Sequence, residues 1–324
     1  MPSGEDSLIT RYFRPLATDP GAFDLTDDAA ILKSSAEDLV VTTDAIVAGV
    51  HFLPADPSDT IARKALRVNL SDLAAKGAEP AGFVLTLALR EADDAWLTAF
   101  ARGLGEDATQ FGCPLLGGDT VSTPGPVMIS ITAFGRVPPG RMVRRNGAKG
   151  GDRVVVSGTI GDAALGLHLL KGGTAAALGG DERETLIGRY RVPQPRVALA
   201  RAVRGHASAA MDVSDGLAGD LAKLCAASEV SAAIDAQSIP LSGPARTLLS
   251  RCAVGIESIV SGGDDYEILC TVPENRFEAF AQAASLAGVP VTSIGTIIAG
   301  LAIPRFIDGQ GAEIALPRLS YSHF

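Results

Sequence analysis

Residues 126–162 read PVMISITAFGRVPPGRMVRRNGAKGGDRVVVSGTIGD, and this stretch divides the chain. PVMISITAFGRV (126–137) alternates, with Val127, Ile129, Ile131 and Ala133 on one face, which predicts a strand with one buried side. RVVVSG (153–158) reads as a second strand, followed by a glycine turn and the helix DAALGLHLL (162–170). Between them, VPPGRMVRRNGAKGGD (137–152) is dense in Pro, Gly and Arg and reads as a domain boundary. The expected domains are residues 1–140 and 141–324.

Strands and helices mix on both sides of that boundary. Upstream, DLVVTTD (38–44) reads as a buried strand ending in an acid. Ala62, Ala65, Leu66, Leu70, Leu73 and Ala74 then recur at helical spacing, with Asn69 on the same stripe. Gly77 and Pro80 stop that helix. GFVLTLAL (82–89) is a strand, DAWLTAFARGLGEDATQF (94–111) a helix and CPLL (113–116) a strand. Downstream, strand ASAAMDV runs into helix DGLAGDLAKLC, and strand YEILCTV into helix ENRFEAFAQAASLAG. Each half is an α/β or α+β layer structure.

A length of 324 residues suits about two domains. With 47% hydrophobic and 20% charged residues the chain is globular. Its formal charge of −9 argues against a generic nucleic-acid binder, which needs a basic surface. The opening MPSGEDSLIT is acidic where an export signal is basic. Nothing between Glu278 and Arg305 is charged, but Gly288, Pro290, Gly295, Gly300 and Pro304 break that stretch into a helix end and two short strands rather than a membrane span. Cys113, Cys225, Cys252 and Cys270 form no Cys-x-x-Cys pair, which excludes a zinc knuckle or redox motif and suits reduced core cysteines in a cytoplasmic protein.

No Walker phosphate loop, dinucleotide fingerprint, zincin helix or nucleophile elbow is present. What recurs is aspartate just past apolar strands or at helix starts: Asp27 and Asp28, Asp44, Asp72, Asp119, Asp212 and Asp215, Asp264 and Asp265. Any one of them fits a helix cap or turn. Adjacent acids are costly without a cation between them. Oxygen donors at short spacing suit Mg²⁺, and Thr42, Thr43 and Ser214 add hydroxyls. Gly117 and Gly118, or Gly158 and Gly161 in SGTIGD at a helix start, would let backbone N–H groups approach phosphate. Arg144 and Arg145 are candidate phosphate partners, whereas Lys64 and Arg67 read as surface residues. These residues together describe a Mg²⁺-dependent, nucleotide-using enzyme of unnamed substrate.

GEDSLITRYF, DDAAIL, TTDAIVAGVHF, RKALRVNLSDLAAKGAEP, GGDT, RNGAKGGD, SGTIGDAALGL, MDVSDGL, SGGDDYEIL and YSHF together resemble the thiamine-monophosphate kinase family from end to end. The resemblance implies an aminoimidazole ribonucleotide synthetase-like fold of two α/β (α+β) domains. It implies a homodimer formed through the N-terminal domain, with ATP in a groove between the domains. The implied reaction is ATP plus thiamine monophosphate giving ADP plus thiamine diphosphate. The family's metal ligands fall on Asp28, Thr42, Thr43, Asp44, Asp72, Asp119, Asp212 and Asp215. Its ATP contacts fall on Gly118, Asp119, Arg145 and Ser214, and its substrate contacts on His51, Asp264 and Tyr321. Three positions depart from the family pattern: Thr26 stands for a glycine, Asp264 for a glutamate, and Tyr321 for what is often a tryptophan. The nucleophile would be a phosphate oxygen already ionised at pH 7, so no catalytic base is expected. Among sister families, selenide water dikinase needs a reactive residue near the N-terminus, where this chain's first cysteine is Cys113. The hydrogenase-maturation dehydratase carries a C-terminal cysteine, where this chain reads Ser322-His323-Phe324.

Overall fold

The alternation in residues 126–137 becomes a strand over Met128–Val137 in which Ile129, Ile131, Ala133 and Val137 are fully buried. The computed structural model describes residues 7–26, 30–33, 35–173 and 178–320. The chain divides into two compact units, residues 1–73 with 78–140, and residues 74–77 with 141–324.

The first unit begins with short helical turns at Ile9–Phe13, Arg14–Leu16 and Pro20–Leu25. There follow β1 (Asp38–Val47), α1 (Ser58–Ala75, whose last two residues group with the second unit), β2 (Glu79–Leu89), α2 (Asp94–Gln110), β3 (Leu115–Ser122) and β4 (Met128–Val137). The sheet order is β1-β4-β2-β3, so β1 and β3 are its two edges. β4 is antiparallel to both neighbours, and β2 and β3 are parallel, joined through α2 as a parallel pair requires. The stripe Ala62, Ala65, Leu66, Leu70 and Leu73 is buried, and Leu73 lies where a Cβ on Gly135 of β4 would meet it, so α1 covers the odd-numbered face of β4. Asn69 is buried on that stripe. Its amide donates to the Ala65 carbonyl at 3.1 Å, and its Oδ1 has no partner among the described residues.

The other face of this sheet is open. Register places Leu39, Val41, Thr43 and Ala45 of β1 on it, opposite Arg136, Phe134, Thr132 and Ser130 of β4. Leu39, Val41 and Val121 are exposed there, Val41 by 56%.

Two sequence expectations need correction in this unit. CPLL does not end a strand at residue 116: β3 starts at Leu115 and carries Gly117, Gly118 and Asp119 inside it. A Cβ on Gly118 would overlap the Leu85 carbonyl of β2, so close strand approach explains that glycine. Lys64 and Arg67 are not surface residues, being 1% and 8% exposed.

The second unit contains β5 (Arg153–Ser157), α3 (Asp162–Leu170), α4 (Gly180–Arg191), α5 (Ala200–His206), β6 (Ala209–Asp212), α6 (Leu217–Ser228) and β7 (Val230–Asp235). It continues with α7 (Gly243–Ser250), α8 (Ile256–Val260), β8 (Ile268–Val272), α9 (Phe277–Leu286), β9 (Val291–Ala299) and β10 (Arg305–Ile307). Sheet order is β10-β7-β9-β5-β8-β6. Val154 and Val156 join one core with Met211, Leu217, Leu221 and Leu269, while Val155 joins another with Ala210, Cys270 and Phe280. A strand buried on both faces reads as an unbroken apolar run, as RVVVS does. The uncharged stretch before Arg305 forms α9 and β9, and no helix among the described residues is long and apolar enough to cross a membrane. Cys113, Cys225 and Cys270 are buried thiols, whereas Cys252 is exposed, unlike the core position expected for it.

Candidate active site

In the first unit the alternation of β1 sends neighbouring ligand candidates to opposite faces. Thr42 and Asp44 share the helix-covered face with Val40 and Ile46. Thr42 Oγ1 donates to Asp72 Oδ2 of α1 at 2.5 Å. Thr43 lies on the open face, where Thr132 Oγ1 donates to its hydroxyl at 3.0 Å. Asp119 is also on the open face but at the far edge, in a row running Ala45, Ser130, Thr86, Asp119. Three inter-strand spacings separate the two ends of that row, about 14 Å. One chain therefore cannot bring Asp119 and Asp44 to the same ion. Consistently, no group of three His, Cys, Asp or Glu able to hold a metal occurs among the described residues.

His51 follows β1 in a tight turn. Its Nδ1 accepts from the Val47 N–H at 3.1 Å, so the neutral ring carries its proton on Nε2. The buried Lys64 donates to the His51 carbonyl at 2.9 Å. Arg67 serves a different partner: with Arg63 it surrounds the buried Asp107, at 2.5 Å and 2.8 Å from Arg67 and 2.7 Å from Arg63. A cavity of about 370 Å³ opens beside β3, lined by Ile9, Phe13 and Leu25 on one side and by Leu116, Gly118 and Asp119 on the other. Thr26 sits just beyond it with an ordinary φ of −107°, while Phe23, Asp24 and Leu25 take left-handed values of 49°, 55° and 54°. The turn before the DDAAIL segment is thus left-handed at three side-chain-bearing residues rather than at residue 26.

In the second unit, β8 runs antiparallel to both β5 and β6. The loops after β5 and β6 and the loop before β8 consequently meet at one end of the sheet. Asp264 N–H donates to the Ser214 carbonyl, and Tyr266 N–H to the Val213 carbonyl, both at 2.8 Å. A Cβ on Gly263 would crowd the Ser214 carbonyl, so this approach requires a glycine. The loops bring together the half-buried Ser214, Asp215 and Asp264 and the buried Asp212. Arg145 is exposed before β5.

The paired acids have separate roles. Asp265 is buried; its Oδ2 accepts from the Gly161 N–H at 2.6 Å and its Oδ1 from the Ala163 N–H at 3.3 Å. Burial pushes this carboxyl well above the usual range, against the N–H donors and Arg189. The SGTIGD helix start, expected to be open to phosphate, is therefore filled by the chain's own carboxylate. Asp220, absent from the candidate set, holds the Ser214–Asp215 turn: its Oδ2 accepts both N–H groups, at 3.0 Å and 2.9 Å. Lys223 bridges Asp220 and Asp215 at 2.8 Å and 2.5 Å. Burial raises the Asp220 carboxyl while Lys223 opposes the shift. The signal for Asp220 was its place in the first turn of a helix directly after SDG. Asp28 and Tyr321 lie outside the described residues.

The single-faced sheet with edge acids and the doubly covered sheet with an acidic loop cluster lie in regions that match the AIR synthase-related class. The model for the AIR synthase related protein N-terminal domain matches residues 26–137, and that for the C-terminal domain matches residues 149–303. A thiamine-monophosphate kinase of Caulobacter vibrioides is 46% identical over 99% of this chain and 91% of its own length. The solved thiamine-monophosphate kinase of Stenotrophomonas maltophilia K279a superposes with a TM-score of 0.85 at 41% identity, covering 95% of this chain and 98% of that one. The structure of AaThiL complexed with AMPPCP and TMP superposes with a TM-score of 0.79 at 30% identity, covering 92% and 91%. The chain belongs to the thiamine-monophosphate kinase family.

Proposed function

We propose that the chain transfers the γ-phosphoryl group of ATP directly to the phosphate of thiamine monophosphate, giving ADP and thiamine diphosphate, as a cytoplasmic step of thiamine diphosphate biosynthesis. The observation that carries the reading is end-to-end likeness to kinases of this substrate, including a same-fold relative holding AMPPCP and TMP together. The substrate phosphate is its own nucleophile, so the chain's task is to hold two anions in line.

The donor set fits Mg²⁺, being carboxylates and hydroxyls only. Asp28, Thr42, Thr43, Asp44, Asp72, Asp119, Asp212 and Asp215 would hold it. When bound, Mg²⁺ supplies positive charge that offsets the repulsion between the two phosphates. We assign Gly118, Asp119, Arg145 and Ser214 to ATP, with the cavity beside Gly118 and Asp119, which Phe13, Leu25 and Leu116 also line, suited to a base. We assign His51, Asp264 and Tyr321 to thiamine monophosphate. His51 offers an Nε2–H donor, which suits a phosphate oxygen, and Asp264 offers a carboxylate to the cationic thiazolium.

The separation of Asp44 from Asp119 supports a homodimer through the first unit. A second copy with its β3 beside this β1 would bring Asp119 to Thr43 and Asp44 and cover the exposed Leu39 and Val41. Mixing inactive Asp44→Asn and Asp119→Asn proteins tests this, because a shared site regains activity in mixed dimers and a self-contained site does not. The reaction itself is tested by ADP release with and without thiamine monophosphate. Substrate-dependent ADP matched one-for-one by thiamine diphosphate is expected. ADP without thiamine diphosphate would contradict the substrate assignment.

A further inference from the structure

The loop that carries Asp264 is held by side chains that the phosphoryl transfer does not use. Asp264 and Tyr266 are half-buried and take left-handed backbone, with φ of 73° and 51°. Such conformations are costly for side-chain-bearing residues and persist only where the surroundings over-determine them. Asp tolerates this backbone better than most residues, which suits Asp at position 264.

The surroundings are an ionic clamp. Glu267 is fully buried, one residue beyond Tyr266. Its Oε1 accepts from Arg189 Nη2 at 2.7 Å and Arg196 Nη2 at 2.5 Å. Its Oε2 accepts from Arg196 Nε and Ser157 Oγ, both at 2.6 Å. Any Cβ on Gly158, whose φ is +56°, would overlap both Glu267 and Arg196. Separately from the side-chain clamp, the Glu267 backbone carbonyl accepts the Val213 N–H at 2.8 Å.

Stability explains this cluster poorly. Buried ion clusters are often replaceable by apolar packing without loss. Here Arg189 Nη1 is also buried with no partner among the described residues, an added cost.

We propose that Arg189, Arg196 and Glu267 are positioning residues that fix the loop so that Asp264 meets thiamine monophosphate in one orientation. The proposal rests on the assignment of Asp264 to that substrate.

Steady-state kinetics with each substrate varied separately test it. In Arg196→Met, the KM for thiamine monophosphate should rise about tenfold or more while that for ATP stays within about twofold. Arg196→Lys keeps the charge and should recover part of the loss. Added to Asp264→Ala, Arg196→Met should raise KM no further, because it acts through Asp264. A folded Arg196→Met with unchanged KM for thiamine monophosphate, with both KM values raised equally, or with additive effects would overturn the proposal. If Arg196→Met does not fold by circular dichroism, Ser157→Ala, which removes the bonds to Glu267 and from the Ile268 N–H, is read the same way, with a rise of about two- to threefold expected and none contradicting the clamp. Asp264→Ala alone separates the two assignments. An unchanged KM for thiamine monophosphate there removes Asp264 as a substrate contact. A raised KM there with no change in Arg196→Met removes only the clamp.

Discussion

The two sheets treat their acids in opposite ways. In the first unit one face is open, and Asp44 and Asp119 stand exposed on its edge strands. In the second unit both faces are covered, and Asp220, Asp265 and Glu267 are buried against lysine, backbone N–H groups and arginines. The first unit also has a buried acid, Asp107, and it too is surrounded by arginines. These four acids, 0–1% exposed, are held by donors of the chain itself, whereas Asp44 and Asp119 are exposed. A desolvated carboxylate must be satisfied inside the chain.

The largest expected effect separates these two kinds of acid most sharply. Asp107→Asn leaves the buried Arg67 without its counter-charge, while Arg63 keeps Glu106. Urea denaturation should show a loss of about 3–5 kcal/mol, while kcat of the folded fraction stays near that of the parent. Asp44→Asn should do the reverse, with kcat down about 10²–10³-fold and an unchanged denaturation midpoint. If Asp44→Asn lost stability and kept its turnover, Asp44 would belong with the structural acids.

Lys64→Met sharpens the contrast between buried cations. Lys64 supports the His51 carbonyl rather than an arginine–acid cluster. Its loss should cost about 1–3 kcal/mol of stability. It should also raise KM for thiamine monophosphate, and a change in stability alone would detach Lys64 from the site.

The smallest effect belongs to a surface pair. Arg153 holds Glu274 at 2.6 Å and 2.5 Å, which lowers that carboxyl below its ordinary value. A lowered carboxyl contributes stability above its unfolded value and loses it as pH falls through the folded one. Glu274→Gln should therefore differ slightly from the parent at neutral pH and converge with it in acid. A difference that grew in acid would reverse that sign.

Much of the fold was legible because local pattern and burial agree. The alternation through Ile129, Ile131 and Ala133 and the unbroken valines of residues 154–156 each state how many faces of a strand are covered. Burial of Lys64 and Arg67 was not legible, because the satisfying groups are a turn carbonyl at His51 and an acid on another helix at Asp107. The split between Asp264 and Asp265 was also hidden, since left-handed backbone in the loop between α8 and β8 obeys no period. The place of GGDT inside β3 was not legible, because glycine serves close strand approach and anion approach equally well. The separation of Asp44 from Asp119 depends on strand order, which no spacing along the chain encodes.

Direct transfer between the two substrates is tested most directly by an acid-quenched single turnover with γ-labelled ATP and thiamine monophosphate. Label should pass into the terminal phosphate of thiamine diphosphate with none on the protein at any time. Label on the protein before product forms, or only in inorganic phosphate, would contradict it.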